Sequence, residues 1–180
     1  MKLLLMLNVI FCFSFLQSQN SQTNDDIIIG PSYSDKVFMN MDSSKVIGLY
    51  NSEQIKVESS YNPLSGNTES HINITYDSKN KMDVEVYSGK IYRIRVWGSR
   101  FITDKGIRIG DKFSKIKSQY KNYKILEGEE MGAPYFTTQE GLSFELSIEE
   151  CWKNNTFDTN DLEKYVDDNS KVCSILIWEK

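Results

Sequence analysis

An α+β fold of two tandem modules, each a short helix packed on an antiparallel β-meander, is what this sequence of 180 residues predicts. Three observations carry that expectation. Several short runs alternate apolar with polar residues, the period of strands with one buried face. Each half places one short stretch of helical periodicity ahead of its strands. Residues of the second half also repeat those of the first in the same order, as an internal repeat requires.

Residues 1–19 read as a leader. Met1 and Lys2 make a positive start, Leu3 to Leu16 an apolar run broken at Asn8 and Ser14, and Gln17 to Asn20 a polar exit. That order is that of a secretory signal peptide, so a cleaved leader, rather than an uncleaved anchor, and an exported protein, periplasmic or secreted, are expected. The apolar run has 14 residues, short of the ~20 needed to span a bilayer, so no stable membrane insertion is expected. Cys12 follows bulky Phe11, where a lipoprotein signal wants a small residue, which argues against a lipid anchor.

The first module is expected over residues 20–100 and the second over 101–180. Ile27-Ile28-Ile29-Gly30 is echoed by Ile107-Arg108-Ile109-Gly110. Ser44-Lys45-Val46 and Tyr50 recur 70 residues on as Ser114-Lys115-Ile116 and Tyr120, and Ile55 as Ile125. Phe113, Ile116 and Tyr120 share one face of a helix, with Asp111 as its expected N-cap.

Strands follow each helix. In the first half Ile72, Ile74 and Tyr76, then Met82, Val84 and Val86, then Tyr92, Ile94 and Val96 fall on the inner face. In the second half it is Leu142, Phe144 and Leu146, then Cys173, Ile175 and Ile177. Facing residues of an antiparallel pair share a face. Glu85 opposite Arg93 therefore sets Asp83 opposite Arg95 and Val84 opposite Ile94, with Ser88-Gly89-Lys90 as a three-residue loop. Thr138 opposite Leu142 leaves Gln139-Glu140-Gly141, with glycine where such loops turn left-handed. Lys90 to Trp97 aligns with Lys171 to Trp178, so both halves end in Trp.

Charge narrows the function. Lys and Arg total 21 against 25 Asp and Glu, a net −4. Loss of Lys2 with the leader makes it −5, and phosphate backbones need concentrated positive charge, so no nucleic acid is expected. His71 has no evident nucleophile to serve, and no phosphate loop or metal-ligand spacing is present. The protein is expected to be no enzyme and to hold no cofactor or metal. Glu149 to Ser170 form an acidic insertion in which Asn160 and Glu163 suggest a capping box for a helix over Asp161 to Val166. Asp158, Asp161, Asp167 and Asp168 lack EF-hand spacing, so a solvated loop is expected. Lys112, Lys115, Lys117 and Lys121 read as a solvated helix face.

The stretch from Gly106 to Tyr120, GIRIGDKFSKIKSQY, resembles the opening of the SmpA/OmlA outer-membrane assembly module and of the tandem β-lactamase-inhibitor-protein fold. Both families set short helices against an antiparallel sheet, and the inhibitor has two such modules. The resemblance implies a non-catalytic, protein-binding role, with no partner named. The chain departs from the first family in lacking a lipid-attachment cysteine and from the second in having few cysteines.

The sheet face away from the helices is the candidate site. By parity it carries Tyr87, Ile91, Arg93, Arg95 and Trp97, then Glu145, Ser174, Leu176 and Trp178. Trp, Tyr and Arg dominate interface energetics, so Tyr87, Arg93, Arg95, Trp97, Leu176 and Trp178 are the expected partner-binding residues, and another protein the expected partner. In the plainer alternative the Trp residues pack beneath the linker or between repeats, and Arg93 and Arg95 are cross-strand partners of Glu85 and Asp83. Taken together, the features point to an exported binding or inhibitory protein, or else a structural or assembly component of a bacterial cell envelope. Cys151 and Cys173 flank the insertion, and a disulfide between them would close its base. Their strand phases oppose it unless the chain bulges near Glu149.

Overall fold

The computed structural model describes residues 26–62, 67–126, 134–147 and 166–178. The leader, Cys12, Cys151 and the expected helix before Val166 lie outside them. The described elements run β1 (Ile27–Gly30), β2 (Tyr33–Ser34), β3 (Val37–Phe38), α1 (Ser43–Ile47), β4 (Ile55–Asn62), β5 (Asn67–Thr75), β6 (Lys81–Tyr87), β7 (Lys90–Trp97) and β8 (Phe101–Thr103). They continue α2 (Phe113–Gln119), β9 (Tyr123–Leu126), β10 (Tyr135–Thr138), β11 (Leu142–Leu146) and β12 (Val172–Trp178). Among the described residues the fold is mostly β, with two short helices, an α+β arrangement.

An eight-stranded sheet in the order β4-β5-β6-β7-β12-β11-β10-β9 dominates. All its pairs are antiparallel. The meander β4 to β7 and the meander β9 to β12 meet at β7 and β12, where Ile177 faces Ile94 and Ile175 faces Val96. A smaller sheet, β3-β2-β1-β8, pairs β1 with β8 in parallel. Arg108 bonds both carboxylate oxygens of Asp26, at 2.8 and 2.6 Å, and so ties the start of β1 to the chain after β8.

The core lies on the inner face of the large sheet. Val84, Ile94, Phe144 and Ile175 are fully buried there. Val46 of α1, Phe113 and Ile116 of α2, and Ile29, Val37, Phe101 and Ile107 belong to the same cluster. Helices of five and seven residues cannot persist on propensity alone. Burial of one face holds them: Phe113 meets Phe136 edge-on at 5.2 Å, and Tyr120 lies 5.4 Å from Phe144.

Register follows the predicted arithmetic in the middle of β6 and β7, where Asp83, Val84 and Glu85 face Arg95, Ile94 and Arg93. It then departs. Val86 faces Ile91 and Tyr87 faces Lys90, with a shift between Glu85 and Val86. Tyr92 is the extra residue of a bulge, and the loop is two residues, Ser88-Gly89, rather than three. Both have positive φ, 50° and 78°, the twist that a two-residue hairpin loop favours. The bulge reverses parity beyond it: Ile91, expected outside, is fully buried, and Tyr92, expected inside, is only half-buried. β11 and β12 shift in the same way between Glu145 and Leu146, so that Cys173 is the extra residue there. The other hairpin keeps its expected loop. Thr137 faces Ser143, and Gly141 takes φ 99° at the loop's third position.

One local expectation needs correction. Asp111 is not the N-cap of α2. Lys112 holds that position without a side-chain bond, and Asp111 instead accepts from the Arg108 backbone N–H at 2.7 Å and from Lys115 Nζ at 2.6 Å. The backbone around Gly110 bonds as the backbone around Asn40 does. The N–H groups of Asn40 and Gly110 donate to the carbonyls of Ile91 and Val172, each at 2.8 Å. Both residues have positive φ, 64° and 93°. Met41 and Asp111 accept in return from Ile91 and Val172 at 3.0 and 2.9 Å, and Ser43 and Phe113 donate to Gly89 and Ser170 at 2.9 and 2.8 Å.

Candidate functional site

The outer face of the large sheet gathers the expected residues into rows. Glu85, Arg93 and Trp178 stand side by side across β6, β7 and β12. The next row runs Asp83, Arg95, Leu176 and Ser143. Lys81 and Trp97 make a third. The sequence shows the pairs within each hairpin. Only the β7–β12 junction brings Trp178 beside Arg93.

Glu85 is the best-buried charge of this face, 4% exposed. It accepts from Arg93 Nε at 2.5 Å and from the Tyr92 hydroxyl at 2.7 Å. The bulge makes the second bond, since without it Tyr92 would point into the core. Burial, then the neighbouring Glu85 carboxylate, raises the Tyr92 hydroxyl well above its ordinary pKa. The Arg93 guanidinium lies 5.9 Å from the Tyr92 ring and Tyr92 meets Tyr87 edge-on at 6.3 Å. Tyr87 is 51% exposed. Arg95 sits 6.0 Å from the Trp97 ring, the range of a cation–π contact.

Beside these rows, His71 Nδ1 meets Asp83 at 3.0 Å. Burial raises the Asp83 carboxyl pKa, and the bond to His71 works against that rise. His71, Asp83 and Glu85 can bring one ligand atom each within 4.8 Å of one another. Both Glu85 oxygens are taken by Arg93 and Tyr92, and two guanidinium groups stand opposite the carboxylates. That is the chemistry of a hydrogen-bonded ladder, and positive charge at that distance opposes a cation.

In the second half, the Glu145 carboxylate accepts from Ser174 Oγ, and the Cys173 thiol donates to the Glu145 carbonyl at 3.4 Å. Burial pushes the Cys173 pKa up to about 12. Cys173 is a free thiol here, and its expected partner Cys151 lies outside the described residues. Leu176 and Ser174 are buried, at 3% and 0% exposure, although they share the outer face. Leu176 therefore gives the surface no open apolar contact. Trp178 is 37% exposed and Trp97 half-buried. Of the expected residues, Tyr87, Trp97 and Trp178, with the partly exposed Arg93 and Arg95, are what the face presents.

Sequence reasoning missed Tyr92 as a site residue and the partnership of His71 with Asp83. A register sum across β5 and β6 would have set His71 opposite Glu85 and diagonal to Asp83, within reach of either carboxylate. A shallow cleft lined by Lys121, Tyr123, Lys124, Thr137 and Gln139 lies at the β9 edge, apart from the Trp and Arg rows.

No protein-family model matches the chain, and no curated protein does. Among solved structures, it is similar to the uncharacterized protein YfeY from Escherichia coli. The TM-score is 0.57 at 16% identity, covering 86% of this chain and 99% of that one. At that identity the likeness is one of fold. Among the described residues no helix is long and apolar enough to cross a membrane.

Proposed function

We propose that this is an exported, non-catalytic protein-binding protein, and that the outer face of its large sheet receives the partner. Tyr87, Trp97 and Trp178 act as anchors, and Arg93 and Arg95 set orientation and specificity. The observation that carries the proposal is the junction of β7 with β12, which sets Trp178 beside Arg93 in one patch. Aromatic rings beside Arg are the composition of interface hot spots. Much of the patch is braced from within, as the Glu85 bonds to Arg93 and Tyr92 illustrate, so its side chains are ordered before a partner arrives and less entropy is lost on docking.

We also propose that the chain is a duplicated helix-plus-meander module, with a boundary near residue 100. Support comes from two matching backbone bonds, Asn40 N–H to the Ile91 carbonyl and Gly110 N–H to the Val172 carbonyl. The bulges at Tyr92 and Cys173 fall at aligned positions and add to it. That plan is the one the resemblance to the tandem inhibitor fold implies.

The test is quantitative capture from the cell envelope and the surrounding medium, with Trp97→Ala plus Trp178→Ala against the unaltered protein. The double variant should fold and lose its partner. Equal capture of the same partner would remove the outer face from consideration.

A further inference from the structure

Among the described residues the strand β4 is the long free edge of the large sheet, eight residues against four in β9 at the other end. We propose that β4 pairs antiparallel with β4 of a second copy, centred on Val57, and so extends the sheet across a two-fold axis. The proposal stands apart from the outer-face reading and uses none of its residues.

The ladder within one chain decides which groups are available. Thr75 N–H donates to the Gln54 carbonyl at 2.8 Å, and the register continues with Lys56 facing Asn73 and Glu58 facing His71. Hydrogen-bonded and non-hydrogen-bonded pairs alternate along an antiparallel ladder. Gln54, Lys56 and Glu58 therefore spend their backbone groups on β5. Ile55, Val57 and Ser59 turn theirs toward the free edge, a template for another strand.

Charge then selects the occupant and the register. Lys56 and Glu58 are exposed side chains, at 74% and 51%, on either side of Val57, and within one chain they pair with each other, a contact the second copy would have to exchange for its own. Lys56 alone would guard the edge, as lysines on edges do. Glu58 two residues on makes the strand its own complement. With Val57 opposite Val57, each Lys56 faces the other copy's Glu58 in a non-hydrogen-bonded pair, where side chains approach most closely. Ile55 then faces Ser59, and the outward backbone groups of all three odd residues are satisfied. A register centred on Glu58 would set two carboxylates face to face. Val57 is 50% exposed in the single chain and gains an apolar neighbour. Every facing pair keeps its face, so both outer surfaces end on the same side of the joined sheet.

The experiment is sedimentation velocity on the purified protein across a concentration series at low and high salt. The unaltered protein should reach a dimer, more weakly at high salt. Val57→Pro removes only an outward N–H, a place where edge strands tolerate proline, and should give a folded monomer. Lys56→Glu should weaken the dimer by at least ~10-fold, since two attractive pairs become repulsive. Lys56→Glu with Glu58→Lys should restore it. A protein that stays monomeric throughout overturns the proposal. So does a dimer that Lys56→Glu leaves unchanged, or one that the charge swap fails to rescue.

Discussion

Replacing Glu85 by Ala should cost more stability than any other change on the outer face. The carboxylate is 4% exposed and holds two donors, Arg93 Nε at 2.5 Å and the Tyr92 hydroxyl at 2.7 Å. Removing one member of a well-buried ion pair costs ~3–5 kcal/mol, because the other charge is left without compensation. Here the Arg93 side chain is 18% exposed and engaged elsewhere as well, and Tyr92 is half-buried. Water can reach both, which brings the expected loss to ~2–3 kcal/mol. With a urea slope of ~2 kcal/mol/M, the unfolding midpoint should fall by ~1–1.5 M. Glu85→Gln keeps the shape and an acceptor for Tyr92 and should lose about half as much. Glu85→Leu with Arg93→Leu should recover most of the loss, since no charge is then buried alone. Equilibrium urea unfolding followed by tryptophan fluorescence measures all three. A loss below ~0.5 kcal/mol for Glu85→Ala, with the double variant no better than the singles, would refute the ion-pair account.

Carboxyl titrations by NMR should separate two aspartates in opposite directions. Burial raises Asp83, so its contribution favours folding below the unfolded pKa and is lost as pH rises through the folded one. The Lys79 N–H, then the Asn80 side chain and N–H, lower Asp77. Its contribution is present above the unfolded pKa and lost as pH falls through the folded one. Asp83 should titrate at the higher pH, and the reverse order would contradict both environments. The Cys173 thiol, pushed up to about 12, should react with a thiol reagent at pH 8 at least ~100-fold more slowly than free cysteine in the reduced native protein, and normally in urea. Gly98 has φ 102°, and an added Cβ would lie 2.3 Å from Asn80 Oδ1 and 2.6 Å from the Lys79 carbonyl. Gly98→Ala should lower stability by more than ~1 kcal/mol in the same urea assay.

Local chemistry was legible wherever it rests on a chain's own period. The inner-face residues Val84, Ile94, Phe144 and Ile175 could be named because alternation of two allows a strand one buried side. The facing of Glu85 with Arg93 could be worked out because charge, burial and a short loop all limit the register. The place of Tyr92 could not. A bulge adds one residue to one strand, and nothing in Lys90 to Arg93 marks where parity reverses. The N-cap of α2 slipped by one because Asp111 had two competing donors, Arg108 N–H and Lys115 Nζ.

The sequence by itself determined that two short helices form and that the runs around Ile72, Val84, Ile94, Phe144 and Ile175 are strands with one buried side. Each of those depends on neighbours within a few positions or across one tight turn. Only the tertiary structure decided that β7 meets β12, that β1 runs parallel to β8, and that β4 is left at an edge. Those choices pair backbone groups distant in the chain, and many edges could satisfy the same hydrogen bonds. The shared core selects among them, and with that selection come both the Trp178–Arg93 neighbourhood and the free ladder at Val57.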